Sequence, residues 1–171
     1  AASKHLKNLK TLSWTGIDTL DVESVRALAS STSLSRLTEL RINGSNLDDT
    51  LMTAFVSSLR LKRLTTLALS NSKIGDEGVR ALAASKALRN ITELELFRNT
   101  IGEQGMSALV ASPHAKNLRK LHVSYNRIGD AGAKALATSK SIKNLQYVWL
   151  GNNELTSEGK RALKASVVLR E

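Results

Sequence analysis

The sequence contains no cysteine, one proline and only six aromatic residues among 171 positions. Without cysteine the chain has no disulfides, no thiolate metal ligand and no cysteine nucleophile, which excludes a disulfide-stabilised secreted module. No apolar run approaches the roughly 20 residues of a membrane-spanning helix, so no span is predicted. The composition, 42% hydrophobic and 23% charged, is that of a globular chain long enough for one domain.

Recognisable catalytic patterns are also missing. There is no Gly-x-Ser-x-Gly turn and no Gly-rich phosphate loop ending in Gly-Lys-Ser/Thr. His5, His114 and His122 fall on two loops and one strand without an i,i+4 pair, which gives a zinc site little support. We therefore expect no enzymatic activity, no metal, no cofactor and no small-molecule substrate.

What the chain does contain is a repeat. Units that begin near residues 6, 34, 61, 88, 115 and 142 align at intervals of 27 or 28 residues. The clearest unit reads L-x-x-L/I-x-x-L-x-L/V-x-x-N-x-I-G-[DE]-x-G-x-x-A-L-[AV]-x-S. A period of this size indicates a solenoid in which every unit is one supersecondary element stacked on its neighbours.

Each unit predicts one strand followed by one helix. Leu94 and Leu96 alternate with polar residues, which is typical of a strand with one buried face. Small residues then recur at helical spacing, as in Gly105, Ala108 and Ser112. We expect this small-residue stripe to bring the helix close to the sheet, and the serine hydroxyl to bond a carbonyl one turn back.

Polar residues at the ends of these elements have structural explanations. An acidic side chain precedes the predicted helix at Asp76, Glu103 and Asp130, where it would cap free N–H groups and favour the helix dipole. An asparagine follows the strand at Asn99, Asn126 and Asn153. We expect the asparagines to form a ladder that satisfies backbone groups left free where each strand ends.

These columns resemble a known family. Leu94, Leu96, Asn99 and Ile101 match the L-x-L-x-x-N-x-L core of leucine-rich repeats. The following Gly-Asp/Glu-x-Gly and Ala-Leu-Ala segments resemble the ribonuclease-inhibitor-like subclass, and the unit length and Ala-Ser-Pro-His at 111–114 are similar to repeats of bacterial multidomain proteins. The resemblance implies an α/β fold: a right-handed solenoid of about six 27-residue repeats, with a parallel concave sheet and convex helices.

The concave face carries the candidate binding residues. Four of the six aromatics fall on this face or its edge, all within the last three units. Aromatic and arginine side chains dominate binding hot spots because they bury large areas at low entropic cost. The predicted surface consists of Glu93, Glu95, Phe97, Arg98, Lys120, His122, Tyr125, Tyr147 and Trp149. The alternative is that Tyr147 and Trp149 only shield the last strand.

Two carboxylates within this set could mimic a catalytic pair. Glu93 and Glu95 share one strand face at i,i+2. In a parallel stack Lys120 would lie beside Glu93 and His122 beside Glu95, about 4.8 Å away on the next strand. We therefore interpret both carboxylates as ordinary cross-strand charge partners.

The net charge is +10, and many of the basic residues recur at one position of the repeat. Cations recur in the turn between helix end and strand, at Lys7, Lys62, Arg89, Lys116, Lys143 and Arg170. Such a row could follow a phosphate backbone. It could equally offset negative helix C-termini and maintain solubility, which we favour because the aromatics lie on a different face. We therefore do not expect nucleic acid as a partner.

The two ends of the chain differ. Lys160 and Lys164 make the last helix polar, as in a C-terminal cap, whereas residues 1–7 match the helix end of a repeat at 83–89. We expect residues 1–171 to form a single leucine-rich-repeat domain from the C-terminal part of a longer protein. The chain starts without Met or a signal-peptide pattern, so its compartment is open, with the cytoplasm favoured and a secreted effector as the alternative.

For function, the sequence predicts a protein-interaction module that binds another protein on its concave face. Two alternatives stay open at this point. The repeats could belong to a bacterial effector or signalling protein whose activity lies elsewhere. They could also bind an anionic surface or nucleic acid through the basic turn column.

Overall fold

Every repeat forms one strand followed by one helix, a unit that we call a coil. The computed structural model describes residues 4–16 and 19–165. The strands are β1 (Thr11–Thr15), β2 (Glu39–Asn43), β3 (Thr66–Ala68), β4 (Glu93–Glu95), β5 (Lys120–His122) and β6 (Tyr147–Trp149). The helices are α1 (Val22–Ala29), α2 (Asp49–Ser58), α3 (Asp76–Ala84), α4 (Glu103–Ala111), α5 (Gly129–Thr138) and α6 (Ser157–Lys164).

The six strands form one parallel sheet in chain order, and consecutive helices pack side by side behind it. The predicted fold class is confirmed. Short 3-10 turns lead into four of the strands, at Lys4–Asn8, Thr32–Leu34, Lys86–Asn90 and Ala115–Asn117. None of the helices within the described ranges is long and apolar enough to cross a membrane.

The core consists of apolar residues stacked in register from coil to coil. Leu40, Leu67, Leu94, Leu121 and Val148 are neighbours across the sheet. The first four of these side chains are completely buried. Because every coil buries its leucines against the coils on both sides, the stacking contacts supply most of the apolar burial.

The asparagine ladder is confirmed. The Asn126 side-chain amide donates to the carbonyls of Leu96 in the preceding coil (2.9 Å) and of Val123 in its own coil (3.0 Å). Its oxygen accepts the N–H of Ile101 at 3.0 Å. The same pattern occurs at Asn99 and Asn153. Each buried asparagine therefore binds two coils together and leaves none of its amide atoms unpaired.

The acidic side chains cap a different helix from the one expected. Asp76 Oδ1 accepts the N–H groups of Gly102 (2.7 Å) and Gly105 (2.9 Å), which begin the helix of the next coil. A Cβ atom on Gly105 would lie 2.6 Å from that oxygen, so glycine is required for the carboxylate to approach. Asp49 and Asp130 bind the following coil in the same way.

Glu103 departs from this arrangement. Within the described part of the chain it forms no corresponding hydrogen bond to α5, and the N–H of Gly129 donates instead to the carbonyl of Asn153 at 3.0 Å. Gly129 has a left-handed backbone (φ +61°), and the longer Glu103 side chain occupies the space that a Cβ would need there. The predicted cap of α4 by Glu103 is also wrong, since the N-cap position of that helix is Gly102 and its first N–H groups bind Asp76 instead. The carboxylate does lie in the first turn of α4, where its charge favours the helix dipole as expected.

The small-residue stripe also serves contacts between coils. Ser112 Oγ donates to the carbonyl of Ala83, at the end of the preceding helix, at 2.5 Å. Ser139 Oγ does the same to Val110. A Cβ on Gly78 would lie 3.1 Å from the Met52 Cβ. The stripe lets neighbouring helices approach each other. Because Ser112 and Ser139 bind carbonyls of the preceding helix, the predicted hydrogen bond within one helix is wrong for these serines.

The first and last coils expose the features expected at solenoid ends. Trp14 in β1 is 43% exposed, although it occupies a leucine column. Lys160 and Lys164 are exposed on α6. The expectation that residues 1–171 belong to a longer protein stays a prediction.

Removing a core leucine should be costly. Leu96→Ala should lower the free energy of unfolding by roughly 2 to 5 kcal/mol, because the fully buried side chain leaves a cavity between coils. The exposed Lys116→Ala serves as a control and should change it by less than about 0.5 kcal/mol. Urea denaturation of both variants checks the assignment, and equal midpoints would contradict it.

Asp130 should make stability depend on pH. The hydrogen bond from the Thr156 hydroxyl lowers the pKa of Asp130 below its ordinary value, and the N–H groups of Thr156 and Gly159 add to this. The folded-state pKa is the lower one, so the stabilisation is fully present above the unfolded-state pKa and disappears as pH falls through the folded-state pKa.

Comparing the wild type with Asp130→Asn by thermal unfolding from pH 7 to pH 2.5 tests this linkage. The wild type should be the more stable protein at pH 7, and its advantage should shrink below about pH 4. An advantage that is constant across this range would show that the carboxylate charge is not what stabilises α6.

Candidate interaction surface

The strand register places the predicted binding residues on one face. Glu93, Lys120 and Tyr147 form one row across β4, β5 and β6, and Glu95, His122 and Trp149 form the next. Phe97 and Arg98 follow β4, and Tyr125 follows β5 at the position equivalent to Arg98. Residues separated by up to 56 positions in sequence therefore meet on the concave face.

Ring contacts join the aromatics into a continuous row. Tyr147 stacks on Trp149 at 6.1 Å between centroids, and Trp149 lies 5.4 Å from His122. His122 lies 5.3 Å from Phe97, and Phe97 meets Tyr125 edge to face at 5.6 Å. These distances lie in the favourable range for aromatic pairs. We call these five residues the aromatic patch.

Much of the aromatic patch faces solvent. Tyr147, Trp149 and Tyr125 are 55%, 45% and 48% exposed. They account for three of the five large exposed hydrophobic side chains in the described ranges, and the other two, Leu6 and Trp14, belong to the first coil. A contiguous exposed aromatic surface of this kind is typical of interaction sites.

Arg98 and Tyr125 occupy a turn that suits neither residue type. Six equivalent positions after the strands all have positive φ, between +52° and +72°: Gly16, Gly44, Asn71, Arg98, Tyr125 and Asn152. Glycine and asparagine tolerate this left-handed conformation, whereas other residues pay a cost of roughly 1 to 2 kcal/mol. Sequence reasoning missed this feature, although glycine and asparagine in the same column signal it.

The strained pair forms its own contacts. The Arg98 guanidinium lies 5.3 Å from the ring centroids of both Phe97 and Tyr125. Cation–π contacts at exposed sites contribute about 0.5 to 1 kcal/mol each. The contacts therefore offset part of the conformational cost and hold Arg98 against the aromatic patch.

An ion-pair cluster borders the patch on its N-terminal side. Arg41 binds Glu39 at 2.5 Å and Glu95 at 2.9 and 3.0 Å. Arg41 reaches Glu95 across β3 because the residue between them is Ala68, which has no long side chain. The hydrogen bond that Arg41 donates to Glu39, followed by those that it donates to Glu95, raises the pKa of Arg41 further above its already high ordinary value.

The cluster corrects one part of the predicted charge pairing. Lys120 Nζ lies 3.3 Å from Glu93, as expected from the register. His122 lies beside Glu95 on the neighbouring strand, but the charge partner of Glu95 is Arg41, two strands away. His122 is instead positioned between the rings of Phe97 and Trp149.

Both carboxylates that resembled a catalytic pair are engaged by cations. No group of three or more His, Cys, Asp or Glu side chains suited to a metal ion occurs in residues 4–16 and 19–165. What the surface offers is preformed aromatic area with a charged border.

The geometry defines an α/β solenoid repeat protein, and comparison with known families makes this more specific. A model described as two copies of leucine-rich repeats matches residues 116–159. A second leucine-rich-repeat model matches residues 62–83 and 87–110. The matched stretches together cover slightly more than half of the sequence. These residues of the chain form leucine-rich repeats.

Solved structures agree on the fold. An internalin from Listeria monocytogenes has a TM-score of 0.56 at 18% identity, over 95% of this chain and 48% of its own. The tropomodulin C-terminal domain from Caenorhabditis elegans has a TM-score of 0.62 at 17% identity, over 85% of this chain and 90% of its own. No curated protein sequence matches the chain. The chain thus spans about half the length of the internalin.

The left-handed turn leads to a prediction for Tyr125. Tyr125→Asn should change the free energy of unfolding by less than about 0.5 kcal/mol, because relief of the left-handed cost offsets the lost ring contacts. Gly44→Ala at the equivalent position should lower the free energy of unfolding by about 1 kcal/mol. A Cβ there meets no atom closer than 3.5 Å, so only the cost of the left-handed backbone conformation remains. Urea denaturation measures both, and a neutral Gly44→Ala would contradict the proposed cost.

Proposed function

We propose that this protein is a non-enzymatic interaction module that binds a protein partner on its concave face. Leucine-rich-repeat proteins commonly mediate protein–protein interactions. The observation that carries the proposal is the row of five rings in contact from Tyr147 to Tyr125, of which Tyr147, Trp149 and Tyr125 are exposed. A large aromatic surface on a hydrogen-bonded sheet gives a partner apolar area to bury.

Each part of the surface has a role in this proposal. Trp149 and Tyr147 are the anchors, and Phe97, Tyr125 and Arg98 extend the patch. Their mutual contacts limit side-chain rotation before binding, which reduces the entropy lost when a partner arrives. The Glu93–Lys120 and Arg41–Glu95 pairs form a polar rim that favours correct orientation more than affinity.

We further propose that the repeats belong to the ribonuclease-inhibitor-like subclass and come from a bacterial protein. The 27-residue spacing and an α-helix of eight to ten residues in every coil support the subclass. The internalin has about twice the length of this chain, which is consistent with a repeat segment of a larger effector or signalling protein. In that case the concave face would recruit the target and another segment would act on it.

The binding proposal predicts different effects for the two tryptophans. Trp149→Ala should lower affinity for the partner at least about tenfold, which is 1.4 kcal/mol, with little change in thermal stability. Trp14→Ala is the matched control because Trp14 also lies on an edge strand and is similarly exposed, 43% against 45%. It faces the core side of the sheet, so affinity should be unchanged.

The experiment uses the chain as bait at low and physiological salt, followed by titration of the recovered protein against purified variants. An aromatic-centred interface should survive physiological salt, whereas binding driven by charge alone should not. A large loss of stability in Trp149→Ala with unchanged affinity would show that Trp149 only shields β6.

A further inference from the structure

A second surface lies at the edge of the sheet where the strands begin. The segments that lead into the strands, residues 4–10, 34–38, 60–65, 86–92, 113–119 and 140–146, contain 13 of the 25 lysine and arginine residues and no aspartate or glutamate. We call this surface the basic edge. Its charge is larger than the net charge of the whole chain, +10.

The described cations of the basic edge form no salt bridge with a carboxylate of the described residues. In the described ranges the salt bridges use only Arg41, Arg80, Lys120 and Lys134, which all lie elsewhere. Arg89 Nε donates to an imidazole nitrogen, His114 Nδ1, at 3.0 Å and not to a carboxylate. Within the described ranges, the positive charge of the edge is therefore not neutralised by ion pairs.

The C-termini of the central α-helices do not account for these cations either. The last turns of α2, α3, α4 and α5 contain no basic residue. The cations come later, as Arg89 does five residues after the end of α3 at Ala84. A helix dipole acts mainly within the last turn, so it gives weak support to charges placed beyond it. The short 3-10 helices Lys86–Asn90 and Ala115–Asn117 do carry Arg89 and Lys116 in their last turns. The explanation favoured from sequence therefore loses only the part that rests on the α-helix dipoles, and the part that rests on solubility is unaffected.

The edge is also shaped as a groove. An open groove of about 510 Å³ runs across successive coils and is lined by Lys62, Arg63, Arg89 and Arg119. Asn90, Asn117 and Asn144 at its base donate to backbone carbonyls of the preceding coil. These asparagines hold the coils together and leave the lysine and arginine groups available to a ligand.

The chemistry of the groove selects one kind of occupant. A groove with cations on successive coils, about 4.8 Å apart, suits a linear polyanion better than a flat membrane. The planar guanidinium of arginine can donate two parallel hydrogen bonds to one phosphate group. The segments of the basic edge contain no Phe, Tyr or Trp on which unpaired bases could stack. We propose that the basic edge binds the phosphodiester backbone of double-stranded nucleic acid without sequence preference.

Salt dependence tests this proposal directly. A fluorescent 20-base-pair DNA duplex is titrated by anisotropy between 50 and 200 mM salt. For B-DNA the slope of log K against log salt is about −0.9 per phosphate contact. The triple variant Arg63→Ala, Arg89→Ala, Arg119→Ala should lose at least about tenfold in affinity, and its slope should become less negative by roughly 2.7.

The matched control removes the same charge from the helices. Arg26→Ala, Lys160→Ala, Lys164→Ala changes three exposed cations of α1 and α6 that form no salt bridge in the described ranges. This control should retain affinity within about threefold and keep the wild-type slope. Circular dichroism confirms that both variants are folded. Trp149→Ala should bind the duplex normally, which separates this surface from the concave face.

Several outcomes would overturn the proposal. Equal losses of duplex affinity in the two triple variants would show that binding depends only on the net charge of the protein. Tighter binding of a 20-nucleotide single strand, of heparin, of poly-glutamate or of vesicles containing anionic phospholipid would assign the groove to a different occupant. Failure to bind the duplex at 50 mM salt would remove the basic edge as a nucleic-acid site.

Discussion

Hydrogen bonds between polar side chains of one coil and backbone groups of the next are the interaction on which this solenoid depends. Asn126 joins Leu96 to its own strand end, and Asp76 supplies the cap that α4 lacks. The carbonyl of Leu96 and the first N–H groups of α4 both take their side-chain partner from a neighbouring coil. Stability therefore resides largely in the interfaces between coils, as expected for a repeat array that approximates a one-dimensional stack.

This dependence frees the concave face to vary. The leucines, asparagines and glycines that join the coils point away from it. Residues such as Trp149 and Phe97 can therefore change without loss of those buried contacts, although their ring contacts with His122 on the neighbouring coil would be lost. The left-handed turn shows the same division, since the backbone requires a positive φ and yet Arg98 and Tyr125 occupy it at a cost. Residues held in an unfavourable backbone conformation cluster at functional sites in proteins.

Charge is distributed unevenly around the sheet. On the concave face acidic residues are matched by Arg41 and Lys120, whereas the basic edge is unmatched. The two surfaces would respond to salt in opposite ways, because one rests on aromatic burial and the other on phosphate charge. A single scaffold can thus present two independent binding surfaces, since neighbouring columns of one repeat face different directions.

The sequence by itself determined the repeat, the strands, the stacked leucines, the asparagine ladder and the face on which the aromatics lie. A 27-residue period aligns the same column in every coil, and alternation along a strand decides which side chains are buried. The tertiary structure alone decided which coil Asp76 and Ser112 bind, that Arg41 reaches Glu95 over Ala68, and that Tyr125 adopts a left-handed turn. These features depend on side-chain length and on the offset between stacked coils, which a one-dimensional pattern does not contain.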